Sequence, residues 1–177
     1  MRYLGPGFTL TEVLVTVAVI ALLSAVAIPT VMSRLAVGHG NAIAAELKNL
    51  GLGLRGFNTN VGTYPKNLAD MSVAPGSPQN YCSLTISPTN IAKWRGPYTS
   101  RFITGDYTLN NSTIVSAMTY TAGPPAYLQI TINNVTADVA RTIEEAIDGS
   151  VVSNSYTTGA FTYTSPNAVY RIPARAC

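Results

Sequence analysis

Acidic side chains are the residues of this chain that could do acid–base or metal chemistry. None of the eight falls into an HExxH string, a calcium-loop pattern or an acidic dyad with evident context. Glu144 and Glu145 are adjacent on a predicted helix, so they point apart. Calcium binding is a weak alternative, for which Asp106, Asp138 and Asp148 are the candidate ligands, and their spacing gives it no support. We therefore predict no catalytic residues, no metal site and no cofactor, and a protein that is not an enzyme.

Basic and histidine residues give no stronger signal. His39 is the only histidine and is expected on a helix, away from any serine–aspartate pair. Eleven basic against eight acidic residues give a formal charge of +3, which is not a nucleic-acid footprint by itself. A small basic tip near the C-terminus would allow DNA contact, but scattered solubilising charges are the favoured interpretation. Its members would be Lys93, Arg95, Arg101, Arg171 and Arg175.

Two cysteines, Cys82 and Cys177, are too far apart for a CxxC redox or zinc pattern. In an exported protein they would form one disulfide closing a loop of ~95 residues, which stabilises by about 4–5 kcal/mol in the chain-entropy model. Two unrelated buried thiols are the alternative.

Glu12 is the one acidic residue in an unusual place. It is the only ionisable side chain between Phe8 and Met32, and the stretch from Val13 to Ile28 has no charge. Twenty-five helical residues reach ~37 Å, which is enough to span a bilayer. Arg2 precedes this segment, so the N-terminus is expected in the cytoplasm and the rest of the chain outside.

Three simpler interpretations of the apolar segment remain open. They are a signal peptide cleaved after Ala25-Val26-Ala27, a plain membrane anchor and a buried core helix. Glu12 argues against all three. Placing a carboxylate inside a membrane costs a few kcal/mol of free energy. A residue kept there at such a cost indicates a function, and a partner that pairs with the carboxylate.

The string Gly7-Phe8-Thr9-Leu10-Thr11-Glu12, followed by a long apolar run and Pro29, resembles the prepilin signature of type IV pilins and type II secretion pseudopilins. The close match covers about residues 1–35. Thr11 stands where the family often has isoleucine, and Ala21 where many relatives have glycine.

This resemblance implies a processing and assembly route. A prepilin peptidase would remove residues 1–7 by cutting between Gly7 and Phe8, and the new amine of Phe8 would be methylated. Glu12 would meet the Phe8 amine of a neighbouring subunit, and Pro29 would kink the helix. The precursor would lie in the inner membrane and then enter a homo-oligomeric or mixed filament through the pilus assembly machinery. Its final place would be the cell surface or a periplasmic pseudopilus.

The expected fold class is α+β, a pilin-like roll of one long N-terminal helix against an antiparallel sheet. Residues 8–32 would be the transmembrane or filament-core half of the helix, and residues 33–57 its amphipathic half. The globular head would be residues 58–177, with a loop region (58–100) and a sheet with one helix (101–177). The helix face expected on the head comprises Ala36, Gly40, Ile43, Leu47, Leu50, Leu54 and Phe57.

Runs of Thr, Tyr, Ile and Val predict the strands of the head. They are expected at about residues 104–110, 114–121, 127–132 and 159–163, with an edge strand at 168–172. A helix capped by Thr136 or Asp138 should end at Asp148-Gly149, and a short helix should cover Leu68 to Met71.

Three functions are compatible with these features. The first is a type IV pilus subunit, major or minor, for adhesion, twitching motility or DNA uptake. The second is a pseudopilin of a type II secretion system, and the third a secreted or anchored binding module. The cysteine pair favours a pilin. The strings Gly62-Thr63-Tyr64-Pro65 and Trp94-Arg95-Gly96-Pro97-Tyr98 favour a pseudopilin.

Overall fold

The computed structural model describes residues 7–76, 78–123, 125–149 and 159–177. Most of the predicted leader, residues 1–6, lies outside them. The chain divides into two compact units, residues 1–36 and 37–177. A long helix and an antiparallel sheet make up the described fold, so the predicted α+β class is confirmed.

Helix α1 runs from Leu10 to Val61 and contains Pro29. It ends one turn later than the expected end at Phe57. Gly62 follows it with a φ of +89°, and the Gly62 N–H donates to the Asn58 carbonyl at 2.8 Å. A positive φ at this point ends the helix, and glycine adopts it at little cost.

One face of α1 in the second unit forms the core of the head. The predicted face is confirmed except for Ala36, which is half-exposed. Its spacing of three and four residues keeps the buried side chains on one side of the helix. The buried residues are Gly40, Ile43, Ala44, Leu47, Leu50, Gly51, Gly53, Leu54, Phe57 and Val61.

A six-stranded antiparallel sheet completes the head, in the order β1-β2-β4-β6-β5, with β3 also paired to β4. Strand β4 alternates buried and half-buried residues along its whole length, which is the pattern of a strand with one face on the core. The strands are β1 Tyr107–Leu109, β2 Ser112–Ile114, β3 Thr119–Thr121, β4 Ala126–Asn133, β5 Phe161–Thr164 and β6 Asn167–Ala174.

The single strand predicted at residues 114–121 is wrong, because the chain forms two strands there. Between them, the Ser116 N–H donates to Asp106 Oδ1 at 2.7 Å. The Ser116 carbonyl accepts from the Leu68 N–H, and the Met118 N–H donates to the Lys66 carbonyl. These bonds to distant residues replace sheet bonds at Ser116 and Met118. The β-propensity of the run could not reveal them.

In the described part of the chain, three short helical elements lie outside α1. The predicted helix after Thr136 is α3, Ala137–Asp148, with Thr136 as its N-cap and Gly149 as its C-cap. A 3-10 turn covers Leu68–Met71, as predicted. Helix α2, Pro88–Ile91, was not predicted; the Ser87 side chain accepts from the Asn90 N–H and caps it.

Glycines on the buried face of α1 let other parts of the head approach its backbone. A Cβ built on Gly53 would overlap the carbonyl oxygen of Tyr98, and one on Gly40 would overlap the side chain of Thr142. By contrast, nothing lies within 4 Å of a Cβ built on Gly38. Glycine lowers the stability of a helix relative to alanine. The close contacts at Gly40 and Gly53 leave no room for a side chain, which explains why glycine stands at these two positions.

We expect Gly53→Ala to destabilise the head, because either the helix or the Tyr98 backbone must shift. Overpacking of this kind costs about 1–3 kcal/mol. The matched control is Gly38→Ala, which should stabilise by up to about 1 kcal/mol through helix propensity alone. Chemical denaturation of the two variants in the same detergent measures both changes. Equal effects of the two substitutions would contradict the close-packing explanation.

Candidate functional site

Glu12 lies in the first turn of α1 and is held there by Thr9. Glu12 Oε2 accepts from the Thr9 N–H at 2.9 Å and from Thr9 Oγ1 at 2.8 Å. In return, the Glu12 N–H donates to Thr9 Oγ1 at 3.3 Å. This reciprocal pattern is a capping box, in which a Thr side chain and a Glu three residues later satisfy each other's backbone N–H groups. The Thr-x-x-Glu spacing is readable in the sequence, and our sequence reasoning missed it.

Only one oxygen of the Glu12 carboxylate is used in these contacts. Within the described ranges, Glu12 Oε1 has no hydrogen bond. The neighbouring side chains are exposed and apolar, with Phe8 at 89% and Leu10 at 80% exposure. The structure therefore presents a carboxylate with spare acceptor capacity on an apolar surface.

The helix that carries Glu12 has an exposed apolar surface well beyond its first turn. Among the described residues, α1 is the one helix long and apolar enough to cross a membrane by length and composition. None of the residues in the most apolar stretch of this helix is buried. The exposed apolar side chains include Val13, Leu14, Val17, Ile20, Leu22, Leu23, Val26, Ile28, Val31 and Met32. Such a continuous surface indicates contact with lipid or with other protein chains.

Pro29 lies inside the helix and has no N–H to donate. Two hydroxyl groups nearby donate to backbone carbonyls of the same helix: Thr30 Oγ1 to Ala27 at 2.8 Å and Ser33 Oγ to Thr30 at 3.0 Å. The helix continues through the proline. The kink expected at Pro29 stays a prediction.

Cys82 and Cys177 form a disulfide in the structure, with their Cα atoms 5.6 Å apart. Two tyrosines add hydrogen bonds to the same C-terminal residues. Tyr81 Oη donates to the Arg175 carbonyl at 3.1 Å, and the Cys177 N–H donates to Tyr120 Oη at 3.2 Å. The ring of Tyr81 also packs edge-on against that of Tyr120, with centroids 5.6 Å apart. The end of β6 is thus joined to the loop that follows α1.

Four of the five basic residues considered for a C-terminal tip contact different neighbours. Arg101 Nε lies 3.6 Å from Glu46 Oε1, and the Glu46 carboxylate also accepts from Tyr107 Oη at 2.8 Å. Arg171 lies over the ring of Tyr127. Lys93 donates to Asn90, and Arg95 to the carbonyls of Ala92 and Trp94. Arg101 is therefore partly neutralised.

Metal-binding side chains do not cluster in the part of the chain that the structure describes. No group of three or more His, Cys, Asp or Glu residues there could hold a metal ion. Asp106 bonds Ser116, and Asp148 accepts from the N–H groups of Ala160 and Phe161. These two carboxylates hold backbone segments of the sheet.

Comparison with protein families matches residues 6–28 to the prokaryotic N-terminal methylation motif. The chain carries the type IV pilin and pseudopilin signature. The match includes both Gly7-Phe8 and Glu12, together with most of the apolar segment. A comparison of the whole chain with curated proteins and with solved structures finds no match.

The pilin and pseudopilin signature points to a structural protein rather than an enzyme. It implies cleavage by a prepilin peptidase and assembly into a filament. The exposed apolar helix fits a membrane-anchored precursor that later enters a surface filament.

Removing the disulfide should destabilise the head. The bond closes a span of 95 residues, so the double variant Cys82→Ser, Cys177→Ser should lose up to about 4–5 kcal/mol of unfolding free energy. Tyr120→Phe is the comparison, since it removes one hydrogen bond of the same region and should cost about 1 kcal/mol. Denaturation midpoints under non-reducing conditions give both values. A double variant as stable as the wild type would contradict a stabilising role for the bond.

Proposed function

We propose that the chain is a subunit of a type IV pilus, assembled through its N-terminal helix into an extracellular filament for adhesion, motility or DNA uptake. The observation that carries the proposal is the exposed apolar surface of α1, interrupted near its start by the carboxylate of Glu12. The Thr9 cap uses one oxygen of this carboxylate, and neither lipid nor a plain helix contact needs the other oxygen. A filament of identical or related helices supplies a partner for it.

The length of the uncharged segment fits a membrane-inserted precursor. Residues 13–33 have no charged side chain between Glu12 and Arg34. At 1.5 Å per residue this stretch is about 30 Å long, which is the thickness of the hydrocarbon core of a bilayer. Glu12 and Arg34 would then lie near its two boundaries. Before assembly, the precursor would lie in the inner membrane with its N-terminus in the cytoplasm.

Processing would create the partner that Glu12 lacks. Cleavage between Gly7 and Phe8 places a new ammonium group on Phe8, and methylation leaves its charge in place. In the described chain Thr9 uses Oε2 of Glu12, so Oε1 is free to accept from the Phe8 amine of a neighbouring subunit. A buried pair of this kind mainly fixes register, because desolvation offsets most of its attraction.

The disulfide of the head favours a pilus over the alternative of a secretion pseudopilus. It ties down the C-terminal residues that a surface filament exposes to solvent and proteases. The pseudopilin alternative rests on the Gly62–Pro65 string and, further along the chain, on the Trp94–Tyr98 string. In the structure this string packs on α1: the rings of Tyr98 and Phe57 are 5.6 Å apart, and Tyr98 Oη accepts from Asn60 Nδ2.

The mature protein should begin at methylated Phe8. Intact mass and N-terminal sequence of protein from the native host measure this directly, and a mass two hydrogens higher after reduction reports the disulfide. A chain that begins at Ile28 would show cleavage by signal peptidase and loss of the apolar helix, and would refute the filament proposal.

Glu12→Ala should leave cleavage intact and abolish fibres, because the Phe8 ammonium of the neighbour would be buried without its partner. Breaking one buried ion pair costs about 3–5 kcal/mol, and the loss recurs at every subunit. Glu145→Ala, on the exposed side of α3, is the control and should leave fibres unchanged. Fibres are counted by electron microscopy after shearing. Normal fibres from Glu12→Ala would rule out the register role.

Fibre length separates the two candidate assemblies. Long filaments on the cell surface at native expression support the pilus. Protein confined to the periplasm, with loss of secreted proteins on deletion, supports the pseudopilus instead.

A further inference from the structure

A cleft opens at the C-terminal end of α1, between the end of the helix, the loop before Cys82 and the end of β6. Its volume is about 530 Å³, which is in the size range of small-ligand sites. The filament proposal above does not use it. The residues that matter here are Asn58, Thr63, Tyr64, Tyr81 and Arg175.

The walls of this cleft are fixed by covalent and hydrogen bonds. The rings of Tyr64 and Tyr81 pack edge-on with centroids 5.9 Å apart, and the Tyr81 N–H donates to the Tyr64 carbonyl. Tyr81 Oη donates to the backbone carbonyl of Arg175. Cys82, which follows Tyr81 in the chain, forms the disulfide with Cys177. A site fixed in this way loses little conformational entropy when a ligand binds.

Several polar groups of the cleft are available to a ligand. Within the residues that the structure describes, the side chains of Asn58, Thr63 and Tyr64 make no hydrogen bond, and Arg175 has no ion pair. The positive charge of Arg175 acts on Tyr81. Burial raises the pKa of the Tyr81 hydroxyl. The nearby hydroxyls of Tyr120 and Tyr64 raise this pKa further, and the positive charge of Arg175 lowers it. Arg175 is exposed, has no ion pair among the described residues, and lines the same cleft as the rings of Tyr64 and Tyr81.

We propose that this cleft binds an acidic saccharide, with its carboxylate on Arg175 and its ring against Tyr64 and Tyr81. A guanidinium binds a carboxylate through two parallel hydrogen bonds, which a neutral sugar lacks. The amide of Asn58 and the hydroxyl of Thr63 suit sugar hydroxyls, which both donate and accept. Tyrosine offers an apolar ring face together with a polar edge.

A nucleic acid fits the cleft less well. Single-stranded DNA is bound along grooves that carry several cations, one for each of a series of phosphates. Arg175 is the one charged residue among those that line the cleft in the described chain. A single guanidinium in a bounded cleft suits one carboxylate.

The proposal concerns the head and does not depend on filament assembly, so its test uses the full chain dispersed in detergent micelles. The probe is methyl glucuronide, with methyl glucoside as its neutral match. Saturation-transfer NMR and titration of chemical shifts should show binding of the glucuronide at least tenfold tighter than that of the glucoside.

Arg175→Gln should weaken glucuronide binding at least tenfold, while Arg141→Gln, an exposed arginine on α3, should leave it unchanged. The backbone bond at Arg175 and the disulfide remain in the first variant, so its fold can be checked by its denaturation midpoint. Tyr64→Leu is a second variant that removes the ring without touching the charge, and it should also weaken binding.

Three results with the sugar probes would overturn the proposal. They are equal binding of the charged and neutral sugars, no loss on Arg175→Gln, and no binding of either sugar. Tighter, salt-sensitive binding of a thymidine oligonucleotide to the same residues would also overturn it, in favour of a nucleic-acid site. None of these results bears on cleavage at Gly7 or on the role of Glu12.

Discussion

The apolar side chains between Phe8 and Met32 must be removed from water, and the most apolar part of α1 has no buried residue in the chain itself. This constraint decides most of the other features. Each of these side chains gains about 1.5–3 kcal/mol when it is fully buried, so lipid or neighbouring helices must cover them. A carboxylate placed among them is costly unless it is paired. The Thr9–Glu12 capping box meets that need only in part, because it uses one of the two carboxylate oxygens.

The apolar side chains in the second half of α1 are removed from water by other parts of the same chain. From Gly40 to Val61 the buried side falls every three or four residues, and the sheet and loops of the head cover it. Glycines at Gly40 and Gly53 let Thr142 and the Tyr98 backbone reach the helix. One helix therefore carries two kinds of surface. The first requires partners outside the chain, and the second is complete without them.

Local patterns allowed much of this to be predicted. The helix, its buried face, α3 and the alternating strand β4 follow from hydrophobic periodicity, and the Gly7–Glu12 string is contiguous. The break between β2 and β3 was missed because it depends on Asp106 and on the Lys66–Leu68 loop, which are distant in sequence. The C-terminal cleft was missed for the same reason. Asn58, Tyr81 and Arg175 come from three separate segments, and only tertiary structure brings them together.

The disulfide has a mechanical consequence. The six described strands and α3 lie between Cys82 and Cys177, so the sheet that they form is enclosed in one covalent loop. Tension applied between α1 and Cys177 would pass from Cys82 directly to Cys177 through the disulfide. The residues between them are bypassed and cannot be drawn out. Between the end of α1 and Cys82, the twenty residues from Gly62 to Tyr81 can extend by about 70 Å at ~3.5 Å each before the covalent bond carries the load.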